Sequence, residues 1–149
     1  MPPPRQTEAR RPIQSATRLR FLFLPVQLKI VNPTAPKTLL RLEGLVVLAA
    51  ASIGYWSQGY PWGRFFLLFL APDLLMIGYL WGARVGAAVY NAGHNYLAPF
   101  SLWLIAHVGH MPLLYPLALI WAAHIGFDRL LGYGLKYGTG FRDTHLGRV

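Results

Sequence analysis

The sequence predicts an all-α protein, a polytopic transmembrane four-helix bundle, on three observations. Hydrophobic residues make up 54% of the chain and charged residues only 13%, about half the charged share of an ordinary soluble domain. The apolar residues are gathered into runs, and between Thr38 and Leu131 hardly any twenty-residue window holds more than two charges. Glycine and proline breakers divide those runs into four, each close to the ~20 residues that cross hydrocarbon at ~1.5 Å per residue. A chain of 149 residues cannot bury so much apolar surface in water and needs lipid as its solvent.

The first 36 residues form a basic arm. Arg5, Arg10, Arg11, Arg18, Arg20 and Lys29 stand against the single acid Glu8, and Lys37 follows at the first run. Residues 1–18 read as disordered, and residues 19–31 either as a short amphipathic stretch at the membrane interface or as a segment without fixed structure, since no periodicity decides between the two. The net charge of +9 is concentrated there, the pattern that keeps a terminus cytoplasmic and touches anionic headgroups. The arm offers no folded module for reading bases, so nucleic acid is not an expected partner. Residues 21–31 are short and interrupted by Pro25, Gln27 and Lys29, so no cleaved leader is expected. With no cysteine, disulfides, thiolate catalysis and cysteine-ligated metals are excluded.

Asn32-Pro33-Thr34-Ala35-Pro36 breaks the chain before span one, residues 38–56. Gly59-Tyr60-Pro61 and Gly63 lead to span two, residues 65–81. Gly82 precedes span three, residues 85–108, and Gly109 precedes span four, residues 112–131. Tyr55, Trp56, Tyr60 and Trp62 mark one interfacial belt, and Tyr79, Trp81, Tyr133 and Tyr137 the other. Arg84, Lys136, Arg142 and Arg148 fall on the side of the arm, and Arg64 on the opposite side, so both termini are expected in the cytoplasm of a multi-pass inner (plasma) membrane protein. Gly82 with Gly86, Ala83 with Ala87 and Ala88 with Ala92 place small residues four apart for close helix packing.

The spans carry Glu43, Asp73, Asn91, His94, His124, Asp128 and Arg129, and an ionisable group in hydrocarbon costs ~2.5–3.5 kcal/mol. Counted from the cytoplasmic end of each helix at ~1.5 Å per residue, Glu43 lies about 8 Å deep, Asp73 about 13 Å, Asn91 about 9 Å, His94 about 14 Å, His124 about 10 Å and Asp128 about 5 Å. Span direction alternates, yet all six fall in the cytoplasmic half. Asn91 and His94 are three apart and His124 and Asp128 four apart, so each pair shares a helix face. Imidazole and carboxylate donors of this kind suit Zn, Mn, Fe or Ni, and His94, His124 and Asp73 are the candidate ligands. The Glu-x-x-His pairs of di-metal carboxylate bundles are absent. Pro72 breaks the helical bonding beside Asp73, as happens where a span lines a cavity.

Blander roles exist for some of these groups. Asp128 and Arg129 can snorkel to the interface, and Glu43 can pair with Arg41 or Lys37. His107 and His110 fall at the opposite face, and Ser52 and Ser101 lie too far out to serve as nucleophiles with the histidines. After Gly132-Tyr133-Gly134, the tail either anchors at the surface or folds back so that Lys136 and His145 close the polar layer.

From Lys37 onward the chain resembles the domain-of-unknown-function 4260 family of small bacterial membrane proteins. The resemblance is carried by Leu40-Arg41-Leu42-Glu43-Gly44, Ala71-Pro72-Asp73-Leu74, Tyr90-Asn91-Ala92-Gly93-His94, His124-Ile125-Gly126-Phe127-Asp128-Arg129, Gly132-Tyr133-Gly134-Leu135-Lys136-Tyr137 and Thr144-His145-Leu146-Gly147. It implies a helical membrane protein and no particular activity, and it leaves the arm outside the pattern.

Three functions fit the polar layer. The first is a membrane enzyme on an apolar or lipid substrate, metal-dependent or working by acid–base catalysis. In it His94, His124 and Asp73 bind the ion or move protons, Glu43 and Asp128 orient them, and Asn91 places substrate. The second is a proton- or ion-coupled carrier, which with four helices requires a homo-oligomer. The third is a non-catalytic assembly partner held together through the polar layer.

Overall fold

The computed structural model describes residues 35–149, all within one compact unit. The expectations for the basic arm and its interfacial stretch lie outside the described residues. The described chain is helical: α1 Pro36–Ser57, α2 Trp62–Phe69, a 3₁₀ helix Ala71–Trp81, α3 Ala83–Gly93, α4 Leu97–Val108, α5 Leu114–Leu131 and the short α6 His145–Arg148. Helix α5 is the hub and packs on α1, α4 and α2, while the 3₁₀ helix packs on α3.

Helix α1 meets α5 along a stripe of Gly44, Leu48, Ala51 and Tyr55, at the i, i+4, i+7 spacing of one helix face. A Cβ on Gly126 would stand 2.7 Å from the Gly44 carbonyl oxygen and 2.7 Å from the Leu48 nitrogen, so both glycines permit backbone contact. Ala51, Tyr55, Phe65, Ile120 and Ala123 form the apolar core at one end. Tyr55 is fully buried, its hydroxyl donating to the Pro61 carbonyl at 2.9 Å. At the C-terminus of α5, Gly132 takes a left-handed φ of 95°, and the Arg41 guanidinium donates to the Leu131 carbonyl at 3.3 Å. Arg41 therefore caps a helix C-terminus, where a cation is favoured, instead of pairing with Glu43.

Two helices, Pro36–Ser57 and Trp62–Trp81, are long and apolar enough to cross a membrane. Large apolar side chains face outward across the helices, with Leu67 80% and Leu80 78% exposed. The other two expected spans differ from uninterrupted apolar helices. Span three is divided at residues 94–96. Pro99 falls in the first turn of α4, where its missing amide costs no helical bond, and the Asn95 side chain closes the end of α3: it donates to the Asn91 carbonyl at 2.6 Å and the Ala92 carbonyl at 2.9 Å, and accepts from the Leu97 amide at 2.9 Å. One side chain thus ends α3 and starts α4. Helix α5 has the length of a short span but carries His124, Asp128 and Arg129.

Span two changes helix type at its proline. Pro72 cannot donate to Leu68, and the next amide, Asp73, bonds instead to Leu70 at 3.1 Å. The chain continues for 11 residues in 3₁₀ form, longer than the usual three or four. The three-residue period aligns Pro72, Leu75 and Gly78 on one inward edge, with the Leu75 side chain lying against Gly93.

The tail folds back. Both polar ends of the Asn91 amide engage the Lys136 backbone, Nδ2 donating to its carbonyl at 2.8 Å and Oδ1 accepting from its amide at 2.7 Å. Tyr137 donates to the Asp143 carbonyl and His145 to that of Leu135, and Leu146 is fully buried. Asp143 accepts from Thr139 and from Arg148, the latter at 2.8 Å through Nε. The Arg148 guanidinium and the Thr139 hydroxyl lower the Asp143 carboxyl to about 2. A carboxylate with a lowered value steadies the fold above its ordinary range and ceases to do so as pH falls through about 2. We expect a carboxyl titration followed by NMR to find that midpoint, and Arg148→Ala to return it toward the ordinary ~3.9. A wild-type midpoint already near that value would contradict the pairing.

Candidate metal centre

Three chain segments bring four side chains together. Asp73 stands in the first turn of the 3₁₀ helix, His94 caps the end of α3, and His124 and Asp128 lie one turn apart on α5. One ligand atom from each falls within 4.8 Å of all the others. His94 Nε2 is 3.2 Å from His124 Nε2, 3.4 Å from Asp73 Oδ1 and 3.9 Å from Asp128 Oδ2. His124 Nε2 is 3.6 Å from Asp73 and 3.9 Å from Asp128. A tetrahedral ion with donors at 2.0–2.2 Å has ligand–ligand edges of roughly 3.3–3.6 Å. The cage is close to that size.

Each position has a local cause. The proline shift to 3₁₀ geometry brings Asp73 beside the end of α3, and the Gly93–Leu75 contact holds the two segments together. Asn95 stops α3 at His94, so that imidazole sits at a helix end. The His94 ring stacks on Tyr90 with centroids 3.6 Å apart, and its Nδ1 lies 3.0 Å from the Tyr90 carbonyl oxygen. A carbonyl only accepts, so Nδ1 carries the proton and Nε2 presents a lone pair to the cage. This is the carbonyl-anchored arrangement of metal-binding histidines.

His124 is 1% exposed. Among the described residues its Nδ1 has no hydrogen-bond partner. An orphaned buried polar atom costs ~1–3 kcal/mol, which is offset if Nε2 is strongly engaged. Asp128 Oδ2 accepts from the Tyr90 hydroxyl at 2.9 Å. Among the described residues neither Asp73 nor Asp128 pairs with a lysine or arginine within ion-pair distance. The His94 lone pair, the facing His124 Nε2 at 3.2 Å and two carboxylates make a volume suited to a cation.

Basic groups lie around the cage without entering it. Arg129 donates to His145 Nε2 at 2.6 Å, with the His94 carbonyl at 3.4 Å from its other nitrogen. Burial pushes the His145 imidazole down, and the Arg129 charge adds to the effect; accepting from a guanidinium requires it neutral. Lys136 Nζ lies 3.3 Å from the Phe141 ring centroid and 4.5 Å from that of Tyr90, a cation–aromatic box. Burial pushes its ammonium below the ordinary lysine range, while Asp128 and Asp73 pull it upward.

Of the sequence-predicted site residues, Asp73, His94, His124 and Asp128 meet, their ligand atoms within 4.8 Å of one another. Glu43 and Asn91 do not join them. Glu43 lies one residue off the α1 stripe that faces α5, a rotation of about 100° at 3.6 residues per turn. It is exposed in a groove with Leu39, Leu42 and Tyr96. Asn91 is occupied in the clasp on Lys136. Tyr90 and Asn95 were not singled out from the sequence. The four-residue spacing from Tyr90 to His94 was a usable signal for the first, and Pro99 four residues on was one for the second.

No curated protein and no solved structure matches the chain. Residues 37–149 match the family described as Domain of unknown function (DUF4260). That match spans more than half of the chain and all four cage residues, and the chain belongs to the DUF4260 family.

Proposed function

We propose that residues 37–149 form a four-span protein of the inner membrane, with both termini cytoplasmic, whose two histidines and two aspartates hold a divalent transition metal for chemistry on an apolar or lipid substrate. The observation that carries this reading is the cage: two buried imidazole nitrogens 3.2 Å apart with a carboxylate on either side. Membrane placement is supported by the two long apolar helices and the outward-facing leucines. The third crossing is α3 with α4 and the fourth α5; polar breaks within a span are compatible with lipid when their backbone groups are satisfied, as Asn95 satisfies these. An ion at the cage would polarise a substrate oxygen or supply hydroxide at neutral pH. Tyr90 orients Asp128, and the Tyr90 carbonyl orients His94.

A proton relay is the second reading. Tyr90, Asp128, His94, His124 and Asp73 form a chain of polar contacts, and without an ion His124 Nε2–H can donate to His94 Nε2. Among the described residues the histidines of the outer half are His107, 3.3 Å from the Tyr115 hydroxyl, and His110, and they do not continue the chain across.

Metal content by mass spectrometry, on protein purified in mild detergent, decides between them. We expect about one equivalent of a transition metal per chain in the wild type and its loss in His94→Ala/His124→Ala. A folded, metal-free wild type that also takes up no zinc, manganese, iron or nickel overturns the metal reading and leaves the relay.

A further inference from the structure

Beside the cage lies a cavity of about 310 Å³ whose walls include Leu68, Pro72, Leu75, Leu102, Leu117 and Trp121. Its polarity is one-sided. Trp121 carries the one polar side-chain atom among these six residues, and the indole Nε1–H is directed into a bond with the Gly93 carbonyl at 2.7 Å. The carbon framework is what remains to line the space.

The cavity and the cage share their supports. Pro72 adjoins Asp73, and Trp121 precedes His124 by one turn on α5 while bonding to the residue before His94. From His124 back to Leu117 the α5 axis runs about 10 Å at ~1.5 Å per residue, away from the tail and toward the other end of the bundle. The space is thus an apolar slot with ionisable groups at one end. Leu74 lines it and is 74% exposed, so the slot opens sideways on the apolar outer surface, where lipid would lie, and not on the polar tail.

We propose that this slot binds one acyl chain of a bilayer lipid, with the carboxyl or ester end of the chain at the His/Asp cage. The inference rests on the reading of the cage as the reactive polar centre of a membrane protein, and it names the substrate class of that centre: an amphiphile with a single chain inserted from the side. An apolar pocket of this volume is within the range that holds small ligands. Its position explains why the polar groups are set at one depth: a lipid chain entering laterally brings its first polar atoms to that level.

The test uses the full-length protein in detergent micelles and palmitic acid carrying a photoactivatable diazirine, placed next to the carboxyl or near the middle of the chain, about 10 Å along it. We expect saturable labelling competed by unlabelled palmitate. The carboxyl-proximal probe should mark the segment around Leu75 and Trp121, and the distal probe that around Leu102 and Leu117. Leu117→Trp and, on another helix, Leu102→Phe fill the slot and should each reduce saturable labelling by about tenfold or more, with helicity and metal content unchanged. Unsaturable labelling spread over the outer face at Leu67 and Leu80 overturns the proposal, as does saturable labelling indifferent to both substitutions. Metal content is read on the same samples. Metal without saturable labelling removes the slot and keeps the metal centre, whereas saturable labelling without metal keeps the slot and removes the metal.

Discussion

His124→Ala is expected to weaken zinc binding by more than about 100-fold, and Tyr90→Phe by about 10–100-fold, the range found for residues that orient a ligand without touching the ion. The graded response follows from geometry. In the proposed site His124 supplies one of four donor atoms, and its loss would leave three in a space shaped for four. Tyr90 supplies none, but its hydroxyl holds Asp128 Oδ2 at 2.9 Å and its ring lies flat on His94. Removing the hydroxyl frees the carboxylate to rotate and leaves the ring stack in place. Because His124 is buried, its truncation also opens a cavity, so Asp128→Asn is the companion variant: it keeps the shape, removes the charge, and should lose affinity without loss of helicity. Competition against a chromophoric chelator reads all three. Equal affinities for Tyr90→Phe and wild type would show that Asp128 is held by something other than the phenol, and unchanged affinity in His124→Ala would dismiss the cage.

Gly126→Val is expected to destabilise the fold by about 1–3 kcal/mol or more. The space a Cβ would enter is occupied by the Gly44 carbonyl and the Leu48 backbone nitrogen. Main-chain atoms of a packed helix cannot turn aside as a side chain can, so α1 must separate from α5. That movement would carry Arg129 and the α5 C-terminus with it and should weaken the proposed metal site indirectly. Gly63→Ala is the control, since nothing lies within 4 Å of its added Cβ; it should change stability by no more than ~0.5 kcal/mol. Unfolding in a graded denaturing detergent measures both. Similar midpoints for Gly126→Val and wild type would show that the two helices are not in backbone contact.

The helical class and the polar layer were legible in the sequence because each rests on a local count. Apolar runs and breakers mark helices, and depth along a straight helix needs only a rise per residue. The depth count put Asp73, His94, His124 and Asp128 at neighbouring levels, and these four do meet. It also put Glu43 and Asn91 there, and depth alone could not exclude them. Rotation about the helix axis decides which way a side chain faces. For Glu43 that rotation is set by the Gly44–Gly126 contact with another helix. For Asn91 the deciding partner is the Lys136 backbone, 45 residues later in the chain.

The interruption of span three escaped the hydropathy pattern because Asn95 replaces lost backbone bonds with its own amide, and an apolar run does not record such a substitution. The 3₁₀ continuation after Pro72 was foreshadowed by the proline, but its length depends on packing against α3. Whether the tail anchors or folds back was likewise open in the sequence; the clasp of Asn91 on Lys136 and the burial of Leu146 decide it. By itself, then, the sequence determined composition, helix-forming segments and which residues stand at one level, all of which depend on neighbours along the chain. Only the tertiary structure decided which of those residues face one another, because facing depends on how helices rotate and press together across distances in sequence that no periodicity spans.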